Sequence, residues 1–110
     1  MAKLGTYRTY IKQVITNYAN FGTLDGIERQ LTFDTEHDHY HLVNVGWRND
    51  RRTHGCVIHI DLKNGKIWIQ HNGTEIDLAH ELVILGVPKQ DIVLGLHSPY
   101  KRQFTEFAVE

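Results

Sequence analysis

The chain has 110 residues, of which 41% are hydrophobic and 23% charged, a composition that fits one globular domain over residues 1–110 with a single core. Twelve Lys+Arg against thirteen Asp+Glu leave a formal charge of -1 with histidines neutral, which excludes a global basic field driving non-specific DNA binding by counterion release. Cys56 is the single cysteine, so an intramolecular disulfide and a Cys-rich zinc site are excluded too.

Leu4, Tyr7, Ile11, Val14, Ile15 and Tyr18 recur at helical spacing, with Arg8, Lys12, Gln13 and Asn17 between them. This predicts an amphipathic helix of about four turns, stopped by "NFGTLDG". The N-terminal stretch lacks the uninterrupted apolar core of a signal peptide, and no window reaches the length needed to cross a bilayer. With the lone cysteine, these features lead us to expect a reducing, cytoplasmic location and no membrane contact.

"IERQLTFDTE" then alternates as a strand, with Ile27, Leu31 and Phe33 in phase. "HYHLVNVGWR" predicts a second strand, Tyr40 and Leu42 on one face, Val43, Val45 and Trp47 on the other. "RNDRR", residues 48–52, reads as a polar hairpin loop. "HGCVIHIDL" sets Cys56, Ile58, Ile60 and Leu62 against Val57, His59 and Asp61, which makes Cys56 a buried, inert thiol. Asn64-Gly65 suits the positive φ of a tight hairpin turn, and "IWIQH" completes that hairpin. Four strands on short connections predict an antiparallel meander.

Beyond "NGT" the period changes. Ile76, Ala79, Leu82, Val83 and Leu85 form a helical stripe, with Thr74 or a neighbour as cap, acidic Glu75 and Asp77 at the start, and Gly86 at the end. Pro88 opens a short helical turn, "DIVLGL" is apolar enough to be buried, and "HSPYKRQFTEFAVE" is a mixed aromatic and charged tail. The fold class is therefore α+β: an antiparallel four-stranded meander with an N-terminal and a C-terminal helix packed on one face. The other face carries aromatic and histidine side chains and is wet or shared with a partner. A single sheet also exposes edges, which favours a homo-oligomer, a dimer or higher.

Eight histidines are many for this length, and charge should vary between neutral and mildly acid pH. His37, His39 and His41 alternate, which would line one strand face if that strand already ran through Glu36. Neighbouring ligands on one strand stand roughly 6–7 Å apart by rise alone, too far for three short bonds to one ion. "DTEHDH" therefore reads as a solvated strand entry, and no metal or cofactor is expected. Cross-strand placement of His41 and His59 is the best form of a metal site and of a histidine-ligated metalloenzyme. Ser98, the only serine, lacks a nucleophile elbow, Cys56 has no activating surroundings, and no phosphate-binding loop occurs. The reading is a non-enzyme. Trp47 with Arg51 and Arg52, and Tyr100, Lys101, Arg102 and Phe104 in the tail, form two groups of aromatic and basic residues suited to a protein interface. With Arg48 they also serve a weaker reading, direct binding of nucleic acid.

"FDTEHDHYHLVNVGW", "GKIWIQHNGTE", "LGVPKQDIVLG" and "PYKRQFTEFAV" resemble the XisI-like proteins, and the resemblance runs through almost the whole chain. That family is named for the excision controlling factor of the fdxN element of heterocyst-forming cyanobacteria. The resemblance implies an accessory role in site-specific DNA excision and recombination, a separate recombinase that cuts and rejoins strands, and a XisH-like protein of nuclease-like fold as partner. Contact with DNA would then be indirect. A regulatory or antitoxin-like subunit of a XisH-like protein, unconnected with excision, is the alternative. The family brings no catalytic residues to carry over.

Overall fold

The computed structural model describes residues 2–20, 22 and 25–110. The elements run α1 (Ala2–Ala19), β1 (Ile27–Asp34), β2 (His39–Arg48), β3 (Arg51–Lys63), β4 (Lys66–Asn72), α2 (Leu78–Leu85), a 3-10 turn (Lys89–Asp91), β5 (Ile92–Val93) and α3 (Pro99–Arg102). The part of "NFGTLDG" at residues 21, 23 and 24 lies outside the described residues.

Two tight hairpins set the sheet. Asn64 and Gly65 take φ of 54° and 76°, and Asn49 and Asp50 take 50° and 65°, the paired left-handed geometry that follows strand twist. The β2–β3 connection is thus two residues long, shorter than the five of "RNDRR", because Arg48 and Arg51 already face each other in the ladder. Between β1 and β2 the chain turns at residues 35–38, where Asp34 Oδ1 accepts the N–H groups of Glu36 and His37.

The sheet order is β1-β2-β3-β4-β5. The first four strands form the antiparallel meander, but the expected four-stranded sheet is corrected by a fifth strand, which runs parallel to β4 through Ile67↔Ile92 and Trp68↔Val93. The intervening α2 is the long crossover that parallel pairing requires. A two-residue strand gives no alternation to read, and with both residues at 0% exposure it looks in sequence like any apolar run. The tail adds one more bridge, Val93↔Ala108.

Tyr7, Ile11, Val14 and Ile15 of α1 and Leu78, Ala79 and Leu82 of α2 join one core with Tyr40, Leu42, Ile58, Ile60, Leu62, Ile67 and Ile69 of the sheet. Both helices therefore lie on the same face, as the stripes predict. Asp77, and not Thr74, caps α2, its side chain accepting from His80 N–H. Thr74 instead turns onto Asn72 Oδ1. Gly86, φ 115°, closes the helix. Among the described residues no helix is long and apolar enough to cross a membrane.

Polar ties lock α1 to its surroundings. Arg29, in phase with Ile27, Leu31 and Phe33, donates from Nη1 to the carbonyls of Tyr18 and Ala19 at 3.0 and 3.1 Å, placing a cation at the negative end of the helix dipole. Tyr7 donates its hydroxyl to Asp91, which also pairs with Lys3 at 2.9 Å. Arg8 grips Asp38 through two bonds of 2.8 and 3.1 Å, and Tyr40 Oη donates to the same carboxylate at 2.8 Å. Arg8 holds the Asp38 carboxyl below its usual range against the opposing effect of burial, and Tyr40 adds to the lowering. A depressed carboxyl contributes stability above its unfolded value of about 3.9 and loses it as pH falls through the folded value. Asp38→Asn is thus expected to destabilise at pH 7 and to lose that penalty in strong acid. Urea titrations at neutral pH and near about pH 2 check this; equal penalties at both would reject the ion pair as their source.

One β-bulge corrects the expected burial of Cys56. Leu42 faces Ile58, but Val43 faces Cys56, so Val57 is the extra residue and the alternation of β3 flips. Cys56 falls on the open face and is exposed. Its Sγ donates to Ile58 O at 3.2 Å, and desolvation raises its pKa, which favours the protonated thiol over the thiolate.

Candidate functional site

The open face of the sheet carries His39, His41, Val43, Val45 and Trp47 from β2 and Arg52, His54, Cys56, His59 and Asp61 from β3, by the observed register. The residues expected at an interface divide into two patches on it. At the hairpin end, Trp47 is 59% exposed, pairs with Arg52 across the strands, and holds that guanidinium 5.4 Å from its ring centroid. Arg51 is exposed beside them, opposite Arg48. A depression of about 300 Å³ lined by Asp25, Gly26, Trp47, Arg48 and Asn49 lies alongside.

The second patch is the tail. Ser98 caps α3 by accepting from Lys101 N–H, so the only serine serves a structural contact. Tyr100 and Phe104 project at 69% and 72% exposure and meet edge to face at 5.3 Å. Lys101 is exposed beside them. Arg102 is different: it donates to His97 O at 3.0 Å and lies 5.2 Å from the Trp68 ring centroid, to which Lys63 also comes within 4.7 Å. The Arg102 contact fastens the tail to β4, while the Lys63 contact ties β3 to the same ring. Trp68 faces Asp61 and Trp47 faces Arg52; nine positions along β3 separate these two anchor points, roughly 30 Å at the usual strand rise.

Beside Trp68, at the tail end of the open face, lies a histidine cluster. His37 stays out of it, since its Nδ1 meets Asp34 Oδ2 at 2.8 Å in the β1–β2 turn. His39 and Asp61 are register partners, and so are His41 and His59. His39 Nδ1 and His59 Nε2 both contact Asp61 Oδ1 at 2.8 Å, while Gln70 Nε2 donates to Asp61 Oδ2 at 3.3 Å. His41 and His59 do come together, but through their rings, with centroids 4.2 Å apart. Among the described residues, the donor atoms that converge are those of His39, His59 and Asp61, all within 4.8 Å of one another. In the sequence the available signal was His59-x-Asp61, two positions on one strand face; the register that brings His39 opposite Asp61 was not visible there.

The electrostatics follow the contacts. Burial alone would raise the Asp61 carboxyl, yet the bonds from His39 and His59 hold it below the usual range. The Asp61 hydrogen bond raises His39, while burial, and then the neighbouring His59, lower His41. Chemically the cluster can hold protons or bind one cation by two imidazoles and a carboxylate.

A protein-family model described as XisI protein matches residues 1–109. Among solved structures, a XisI-like protein from Anabaena variabilis superposes with a TM-score of 0.91 at 49% identity, covering 97% of this chain and 99% of that one. The fdxN element excision controlling factor XisI from the same organism superposes with a TM-score of 0.86 at 34% identity, covering 98% and 99%. No curated protein matches the chain.

Proposed function

The chain belongs to the XisI family, and from that premise we propose that it is an accessory, non-catalytic control factor that docks a XisH-like partner and through it influences site-specific DNA excision. The observation that carries this reading is the tail: Tyr100 and Phe104, large and exposed, on a segment clamped to the sheet by Arg102. Rigid aromatic groups lose little entropy on docking, which is why such residues dominate binding hot spots. The name of the similar Anabaena factor supports the excision setting. A net charge of -1 favours contact with DNA through the partner. The capping role of Ser98 and the protonated Cys56 favour a regulator over a nucleophilic enzyme. Self-association and action in the cytoplasm belong to the same reading, and β1 leaves a sheet edge for the former.

Deleting residues 98–110 is a poor test, because Ala108 is 4% exposed and bonded to Ile92, and Phe107 packs on the core. The double variant Tyr100→Ala/Phe104→Ala leaves those contacts intact. It is expected to weaken capture of a XisH-like protein by more than about tenfold, as loss of hot-spot aromatics does, with an unchanged melting temperature. Trp47→Ala and Arg52→Ala probe the hairpin patch in the same assay. Full capture by all of these variants, or no capture by the parent protein, would overturn the docking role.

A further inference from the structure

We propose that His39, His59 and Asp61 form a binding site for one divalent cation of the zinc class on the open face of the sheet, a property independent of the docking role.

The donor set comes from two adjacent strands, which removes the spacing problem of three ligands on one strand. Asp61 and His59 sit two positions apart on β3, and the register places His39 directly opposite Asp61. Their donor atoms already lie within 4.8 Å of one another, with both imidazole nitrogens 2.8 Å from Asp61 Oδ1. Ligands around tetrahedral zinc, at bond lengths near 2.0–2.2 Å, stand roughly 3.3 Å apart. To share an ion, the two 2.8 Å contacts open by about 0.5 Å and the widest donor pair, now within 4.8 Å, closes by up to about 1.5 Å, movements within reach of side-chain rotation, and the ion takes the place of the imidazole protons.

The surroundings orient the ligands as metal sites require. Gln70, the extra residue of a second bulge where β3 shifts register on β4, reaches Asp61 Oδ2 and leaves Oδ1 to the imidazoles. His41 packs against His59, tilted by 39° with ring centroids 4.2 Å apart, and crowds one side of that imidazole. Such outer contacts fix ligand geometry and contribute to metal affinity. The Asp61 side chain is only 13% exposed, and its ion pairs among the described residues are with imidazoles alone. A half-buried negative charge beside two nitrogen donors selects a borderline cation, since calcium and magnesium ask for oxygen shells. The His39 side chain is 52% exposed, so the outer side of the site is open for a further ligand from solvent or a docked protein.

The test uses the full chain without an affinity tag, stripped with a chelator and titrated with Zn²⁺ by calorimetry and with Co²⁺ by visible absorption. The expected result is one equivalent bound, with the Co²⁺ spectrum of a four- or five-coordinate site. His39→Gln, His59→Ala and Asp61→Asn should each weaken binding by at least about tenfold. His54→Ala, His80→Ala and His97→Ala should leave it unchanged. Zn²⁺ should raise the melting temperature of the parent protein and not that of His59→Ala. His39→Gln, at a half-exposed side chain, keeps the test decisive if either β3 variant misfolds. Binding that persists in His39→Gln, or that declines by similar steps across all the histidine variants, would overturn the site in favour of adventitious surface binding. Failure of metal binding would leave capture of a XisH-like protein untouched, so the two proposals fall separately.

Discussion

Ile60→Ala is expected to remove about 2–5 kcal/mol of stability, a large part of the roughly 5–15 kcal/mol that holds a domain of this size together. Ile60 is 0% exposed and stands at the middle of the sheet, in register with Tyr40 on β2 and Ile69 on β4. All three belong to the core that α1 and α2 close from the same side. Truncation there loses the transfer energy of three carbons and leaves a void that strands on both sides prevent from collapsing. Urea unfolding should show a lower midpoint with an unchanged slope. Ile84→Ala is the matched control, since Ile84 on α2 is 65% exposed and should change stability by less than about 0.5 kcal/mol. A cost at Ile60 no larger than at Ile84 would contradict this packing.

That core was legible because its residues obey one rule each. Tyr7, Ile11, Val14 and Ile15 repeat at helical spacing, and Tyr40, Leu42, Ile58, Ile60 and Leu62 alternate, so period alone assigned them. Legibility ended where a single residue broke the period. Val57 shifts the register and sends Cys56 to the open face, and nothing local in "GCVIHI" announces the bulge. β5 was missed for a related reason: Ile92 and Val93 form a strand only because β4 and the bridge to Ala108 stand on either side. Its pairing is a property of the tertiary fold and not of the two residues.

The candidate sites divide the same way. Trp47 with Arg52, and Tyr100 with Phe104, are near neighbours in sequence or across a tight hairpin, and each pair does meet in space. Arg102 was grouped with Lys101 by adjacency, yet a helical turn directs it onto Trp68 and into the scaffold. The histidines show the limit most clearly. His37, His39 and His41 looked alike in sequence, but they end in a turn, on a carboxylate and against another ring. What separates them is the antiparallel register, which sequence spacing along one strand cannot supply.

Gly46→Ala is the second large effect, expected to cost about 2–4 kcal/mol through strained backbone and a lost ladder contact. Gly46 faces Ile27 in the β1–β2 ladder, and Trp47 N–H donates to Gly26 O at 3.1 Å. A Cβ on Gly46 would stand 2.1 Å from that same carbonyl oxygen and 3.0 Å from Ile27 Cα. Both obstacles are main chain, so no side-chain rotation relieves them; either the β1 end of the ladder opens or β2 tilts away. Each outcome displaces Trp47, the aromatic centre of the hairpin patch, and couples a backbone constraint to the proposed docking surface. In a Trp68→Phe background Trp47 is the only indole left, so its emission should report the displacement directly while the melting temperature falls by several degrees. Gly5→Ala provides the opposite case: among the described residues, nothing beyond its chain neighbours and its own helix backbone lies within 4 Å of its Cβ position, it sits inside α1, and alanine there should stabilise by up to about 1 kcal/mol. If the two alanine variants behaved alike, the close approach of β1 and β2 at Gly46 would have to be abandoned, and with it the reason Trp47 is held at the rim of its patch.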